Sequence, residues 1–468
     1  MSYLFKAFKL CPIQVQDLAV TLVNTKSYIT RRSGVYKYYR DYYARWENAT
    51  KDELNFEANR RLQVFIEYAA KNSKWYSSLI KVNITNSECL ASIPILEKKD
   101  IVQNLSQMTT ISRKKGIINK TGGTTGTSMQ TVYKKSDIQE RFAVLDNFRS
   151  QHGYELGERT AWFSGKNIIT EEDISKGICS HYDFINKIRF YSTFHINTDN
   201  FNVYWASLNK FKPKFIVGFP SSVYEICKIA DEQGLKLHYK AQVYFPNAET
   251  LLPNYREVIS RVLGCRIIDQ YSSSEGAPFI FECAERSLHI HPLTGIFEVV
   301  DESMQPASEG EVLVTSFTTE GTPLIRYRIG DRLITDTSGE DCTCGSQFPR
   351  VNKIEGRSND YIYSIDKGRV NSNLITVFTK DIPGLICLQL IQNSLNQLNI
   401  NIVSNSQKYT TSSEKKLISS LRDLVGSQIE INIAYVEEIP REKSGKFRMV
   451  KNNLDFSVSN KIDFAKNI

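Results

Sequence analysis

The residues able to do chemistry fall into a few short clusters. Thr121-Gly122-Gly123-Thr124-Thr125-Gly126-Thr127-Ser128 combines glycines, which let a backbone turn tightly, with hydroxyls that can wrap phosphate oxygens. The Gly-Lys-Ser/Thr ending of a Walker A loop is absent, since Met129 follows Ser128. In Asp269-Gln270-Tyr271-Ser272-Ser273-Ser274-Glu275-Gly276, the Tyr271 ring can stack on a nucleobase, and Glu275 offers oxygens to Mg2+. Arg326-Tyr327-Arg328-Ile329-Gly330-Asp331, followed by Gly356-Arg357, supplies a carboxylate able to accept both hydroxyls of a ribose. Pro440-Arg441-Glu442-Lys443-Ser444-Gly445-Lys446-Phe447-Arg448 puts Lys446 on a glycine-bearing loop, where its ammonium can reach a phosphate or carboxylate as a point charge. Taken singly, each cluster is an ordinary loop or turn.

A fifth set concerns a metal. Cys283 and His289, with Cys342 and Cys344, offer three thiolates and an imidazole, the donor set of tetrahedral zinc. The two halves are far apart in sequence, so spacing leaves zinc and spare thiols both open, and His291 competes with His289 as the nitrogen ligand. His152, His181, His195 and His238 are isolated and suggest no Ser/His/Asp triad.

These clusters need elements to position them. From residue 35 to about 110, apolar residues recur at three- and four-residue spacing and predict helices. Beyond about 115, short β-branched runs alternate with helical patterns. Residues 214–219, 242–247 and 265–273 read as strands of a parallel α/β layer. Residues 296–335 read as a β-rich subdomain. A polar turn-forming stretch at Gly356-Arg357-Ser358-Asn359-Asp360 marks a boundary, and a compact α+β unit of about 110 residues follows. The expected organisation is an α/β body over 1–356 and a small C-terminal domain over 357–468.

Length and composition exclude several classes. The chain has 468 residues, 41% hydrophobic and 24% charged, as expected for a globular protein of two to three folding units. Lys and Arg exceed Asp and Glu by 59 to 51, a mild excess with no basic tract, which suits a small anionic ligand and gives no support to nucleic-acid binding. No stretch has the roughly 20 apolar residues of a spanning helix. Residues 1–20 read as a weakly amphipathic start, docked as a surface helix or touching a membrane peripherally, and not as a signal peptide. With nine cysteines and no secretion signal, a cytoplasmic protein with reduced thiols is expected.

The clusters in this order resemble the motif series of the adenylate-forming superfamily of acyl-CoA synthetases, adenylation domains and luciferases. More narrowly, the chain resembles the phenylacetate-CoA ligase branch, including its homologues in capsule and surface-polysaccharide gene clusters. Arg61-Leu62-Gln63, Trp75-Tyr76, Ile93-Pro94-Ile95-Leu96 and Gly218-Phe219-Pro220-Ser221 add to the match, which covers roughly residues 55–450. The resemblance implies that Thr121 to Ser128 hold the β- and γ-phosphates of ATP. Asn247-Ala248-Glu249 and Gln270-Tyr271-Ser272 would flank the adenine, Glu275 would bind Mg2+, and Asp331 with Arg357 would hold the ribose. Lys446 would bridge the α-phosphate and the attacking carboxylate, Phe219, Pro220 and Ser221 would line the acid pocket, and Cys283, His289, Cys342 and Cys344 would hold a structural zinc.

Two departures bear on the second half-reaction. Asn359 stands where the family carries a hinge acid, with Asp360 adjacent. Residues 361–373 replace the Gly-x-Asn-x-x-Pro segment that helps place the CoA thiol in phenylacetate-CoA ligases. The implied function is ATP- and Mg2+-dependent activation of a small carboxylic acid, followed by transfer to CoA, a carrier thiol, an amine or a sugar precursor. The alternative is a non-catalytic nucleotide-binding scaffold in a polysaccharide assembly complex.

Overall fold

The computed structural model describes residues 8–81, 84–120, 129–166, 168–355, 361–365, 368–371, 375, 382–442 and 445–454. They form two compact units, one from the described residues of Met1–Arg159, His181–Ile188 and Ile268–Glu355, the other from those of Thr160–Ser180, Arg189–Ile267 and Gly356–Ile468.

In the first unit, helices pack on a seven-stranded antiparallel sheet. The strand order is Gly295–Val300, Glu309–Ser316, Leu324–Thr335, Arg350–Glu355, Leu288–Ile290, Ile280–Glu282 and Gln270–Tyr271. The helical periodicity of the N-terminal third gives Tyr36–Arg45, Lys51–Asn72, Lys74–Leu79 and Lys98–Met108. Thr50 and Glu53 form a capping box that starts the second of these. Leu62, Phe65, Ile66, Tyr76 and Ile101 meet Val312, Val314, Phe317 and Leu324 in one core. Helix Ile13–Arg32 also belongs to this unit. Its inner face is tied by Asp17 to His181 (2.8 Å) and by Arg32 to Asp146 (2.7 Å). No helix among the described residues is long and apolar enough to cross a membrane.

In the second unit, Thr160–Ser164, Phe215–Gly218, Val243–Pro246 and Arg266–Ile267 run parallel. Every residue of the two middle strands is buried, which explains their unbroken apolar runs. Helices Pro220–Glu232 and Pro253–Leu263 accompany these strands, each opened by a proline at its first turn. The C-terminal part is a four-stranded sheet in the order Glu430–Tyr435, Gln397–Ser404, Leu385–Ser394, Val450–Asn452, with helix Thr411–Val425 covering it. Leu390, Ile400, Ile402, Leu417 and Leu421 form its core.

One expected strand is corrected. Residues 265–273 are not one parallel strand: Arg266–Ile267 pairs parallel with Val243–Tyr244, but Gln270–Tyr271 pairs antiparallel with Ile280–Phe281. The switch occurs at Asp269, whose N–H donates to the Glu282 carboxylate at 2.6 Å while Glu282 N–H donates to the Asp269 carbonyl at 3.0 Å. Apolar content continues across the break, so composition does not reveal it.

Candidate functional site

Each unit carries its own share of the candidate residues. In the first, the hairpin strands Ile117–Lys120 and Gln130–Tyr133 pair antiparallel and flank Thr121 to Ser128, which lie outside the described residues, as do Arg357, Asn359 and Asp360. Tyr271 Oη donates to Asp331 Oδ2 at 2.6 Å, so the proposed stacking ring and ribose carboxylate are directly linked. Arg149 Nε donates to Gln270 Oε1 at 3.1 Å. Ser272 Oγ donates to the Ala277 carbonyl at 3.2 Å and closes a turn around Glu275, which is buried and accepts from Ser274 Oγ at 3.3 Å.

In the second unit, the loop bearing Lys446 is pinned by charged groups. Arg441 Nη1 donates to Ser221 Oγ at 2.9 Å and Nη2 to Glu225 Oε2 at 2.7 Å. Glu249 accepts the Ser221 N–H at 3.0 Å and the Phe447 N–H at 2.8 Å. Burial raises both Glu225 and Glu249 above the usual carboxylate range, with Arg441 pulling the other way. Gly445 has φ +79°, and a Cβ there would come within 2.4 Å of Gly165 Cα and 2.8 Å of Thr193 Oγ1. The residue before Lys446 must therefore be glycine for the loop to lie where it does. Asn247 N–H donates to the Gly218 carbonyl at 3.0 Å, and its buried Oδ1 has no partner among the described residues, an acceptor suited to a ligand N–H. Ala248 adopts φ +63° between Asn247 and Glu249. Phe219, Pro220 and Ser221 open helix Pro220–Glu232, and both the N–H and the hydroxyl of Ser221 are engaged by Glu249 and Arg441.

The Cys/His set does assemble. The ligand atoms of Cys283, His289, Cys342 and Cys344 all lie within 4.8 Å of one another. Cys283 Sγ and Cys342 Sγ are 3.9 Å apart, and Cys344 Sγ is 3.5 Å from His289 Nε2. Around an ion bound by sulfur at about 2.3 Å, tetrahedral geometry puts donors about 3.8 Å apart, so the spacing fits zinc. His289 Nδ1 lies 2.9 Å from the Phe348 carbonyl, the outer contact that orients a ligating imidazole through Nε2. Burial opposes ionisation of Cys342, but the Cys344 N–H and the Ser287 hydroxyl prevail and bring its thiol down to about 6. His291 is not in the set: it is buried edge-on to Tyr43 at 5.1 Å, and burial with nearby Arg61 pushes it down to about 3.

Comparison with known proteins decides the family. CapK of Staphylococcus aureus is 30% identical over 450 residues, spanning 95% of this chain and 98% of that one. The chain belongs to the CapK family. A family profile described as the CapK C-terminal domain matches residues 362–453. This CapK-family chain is also 25% identical over 365 residues to phenylacetate-coenzyme A ligase of Aromatoleum evansii, covering 73% of this chain and 77% of that one. The crystal structure of 2-hydroxyisobutyryl-CoA ligase in the postadenylation state, in complex with R3-HIB-AMP, has the same fold. Its TM-score is 0.70 at 15% identity, covering 87% of this chain and 91% of that one.

Some residues around the CapK-family candidate site carry no local sequence signal. Arg441 lies inside the quoted lysine motif, but nothing in the sequence pairs it with Glu225 on a helix more than 200 residues earlier. Arg141 reads as a polar position of an ordinary helix, yet it is buried against the Ser272–Ala277 turn.

Proposed function

We propose that this protein is an adenylate-forming ligase that activates a small carboxylic acid with ATP and Mg2+ and then passes the acyl group to a thiol, amine or sugar acceptor. The observation that carries this reading is the placement of Lys446, on a glycine loop held by Arg441 and Glu249, in a chain with the adenylate-forming fold. In the reaction, a carboxylate oxygen attacks the α-phosphorus in line, the bond to the β-phosphate oxygen breaks, and pyrophosphate leaves. Lys446 neutralises charge that grows on the α-phosphate and the incoming carboxylate. Tyr271, held by Asp331, stacks on the adenine; Asp331 and Arg357 receive the ribose; Thr121 to Ser128 receive the β- and γ-phosphates. Glu275 is the carboxylate for Mg2+, which when bound spreads the phosphate charge. Catalysis of this kind is mostly positioning and electrostatics.

In the same reading, residues 1–356 form the substrate-binding body and 357–468 the mobile domain that brings Lys446. Cys283, His289, Cys342 and Cys344 hold a structural zinc that closes the loop around Cys342 and takes no part in the chemistry. A cytoplasmic role in surface-polysaccharide biosynthesis rests on the motif resemblance.

The test is carboxylate-dependent ATP–pyrophosphate exchange over a panel of aryl, hydroxy and amino acids. Exchange with one class, abolished in Lys446→Ala with the fold intact, is expected. ATP binding without exchange for any acid would replace this reading with the non-catalytic scaffold. Exchange retained by Lys446→Ala would overturn the role of the lysine.

A further inference from the structure

Helix Lys135–Gln151 carries a buried arginine whose hydrogen-bond acceptors among the described residues are all neutral. Arg141 Nη1 donates to the Gly276 carbonyl at 3.0 Å and to Thr318 Oγ1 at 2.8 Å. Nη2 donates to Ser272 Oγ and, at 3.1 Å, to the Ala277 carbonyl. The guanidinium carbon lies 4.6 Å from the Phe279 ring centroid. No carboxylate hydrogen-bonds to this cation among the described residues. Arginine stays charged under such burial, whereas lysine readily loses its proton.

The five-donor fork thus works as a clamp on one turn. Two further ties complete it: Tyr133 Oη donates to the Ser274 carbonyl at 3.0 Å, and Asn119 Nδ2 donates to the same oxygen. Gly276 has φ +113°, and a Cβ there would come within 2.4 Å of Thr319 Cγ2 and 2.7 Å of Tyr133 Oη. The carbonyls on both sides of Glu275 are therefore fixed, at Ser274 by Tyr133 and Asn119 and at Gly276 by Arg141.

We propose that Arg141 is a positioning residue: by gripping the turn from Ser272 to Ala277 it sets the place of Glu275, so Mg2+-dependent nucleotide binding depends on a guanidinium that makes no hydrogen bond to that carboxylate. The inference rests on the assignment of Glu275 to Mg2+ in the adenylation reading. It matters that the grip is a fork: a lysine ammonium at the same position reaches fewer of these acceptors at once.

The experiment measures ATP binding by calorimetry across a Mg2+ series for the full chain, Arg141→Lys, Glu275→Gln and the double variant, with circular dichroism as the fold control. Removing an outer support of a metal ligand commonly weakens metal binding 10- to 100-fold, so Arg141→Lys is expected to raise the half-saturating Mg2+ concentration by about 10-fold or more. The double variant is expected to match Glu275→Gln alone, because both changes act through one carboxylate. A general packing role gives additive losses, and that result overturns the inference; so does an unchanged Mg2+ dependence in Arg141→Lys. Thr318→Val removes one acceptor and leaves the cation, and should shift the Mg2+ dependence in the same direction by less. If Arg141→Lys does not fold, a Thr318→Val profile identical to wild type overturns the inference instead. Absence of ATP binding by the unaltered chain would remove the adenylation reading itself, an outcome separate from these.

Discussion

Glu249 accepts the backbone N–H of Phe447 at 2.8 Å with one oxygen and that of Ser221 at 3.0 Å with the other. One buried carboxylate thus joins the residue after Lys446 to the start of helix Pro220–Glu232. Glu249→Gln keeps the shape but turns an amide donor toward one of two N–H groups. Leaving a buried donor without its acceptor costs about 1–3 kcal/mol. Hydrogen exchange of residues 445–449 should speed up accordingly, with pyrophosphate exchange reduced. Unaltered protection of that segment would contradict the latch.

Gly445 tests how closely Lys446 must be placed. Alanine there combines a left-handed backbone, at about 1–2 kcal/mol, with overlap against Gly165 backbone that no rotamer relieves. The loop must shift, and a misplacement near 1 Å is enough to lower the rate about 100-fold. Gly339 has a similar φ, +72°, with open space around its Cβ, so Gly339→Ala should leave exchange untouched. Equal rates for the two variants would show that strain and not placement is being measured.

Asp137 predicts a pH dependence of stability. Burial pushes its carboxyl up to about 8, although Lys134 N–H and Gly321 N–H both donate to its Oδ2, at 2.8 and 2.9 Å. The folded state holds a proton there that the unfolded chain releases near the ordinary value of about 3.9. A raised folded value means that stability is greatest below about 4 and is lost as pH climbs toward about 8. Asp137→Asn can keep both hydrogen bonds through its one carbonyl oxygen while removing the titration. Its melting temperature should fall less than that of wild type between pH 5 and pH 9, and parallel curves would refute the assignment.

The metal prediction turns on two histidines two residues apart. Elemental analysis should find one zinc per chain, lost in Cys342→Ser and His289→Ala with a lower melting temperature. His291→Phe should retain it, since His291 is packed against Tyr43 and Phe348 outside the cluster. Metal lost in His291→Phe but kept in His289→Ala would reverse the ligand assignment.

Much of this protein is legible in its sequence. The apolar runs at Phe215–Gly218 and Val243–Pro246 declare strands buried on both faces, and the three- and four-residue apolar spacing before residue 110 declares helices, because periodicity is a local property. The order of the motifs along the chain was enough to point to the family, and the β-rich character of 296–335 and the α+β C-terminal unit were equally plain.

Pairing across long sequence distances was not legible, because nothing local encodes it. Spacing left zinc and spare thiols open at Cys283 and Cys342, and left His289 and His291 as rivals; folding strand Leu288–Ile290 beside Arg350–Glu355 brings His289 to the thiols and leaves His291 in the core. The change of partner at Asp269 is set by Glu282, and the grips of Arg141 on the Glu275 turn and of Arg441 on Glu225 are set by packing between elements over a hundred residues apart. Sequence by itself determined which residue types were available and which local elements they form. Tertiary structure decided which of them meet, because hydrogen bonds and metal geometry act over a few ångströms and sequence distance says nothing about those.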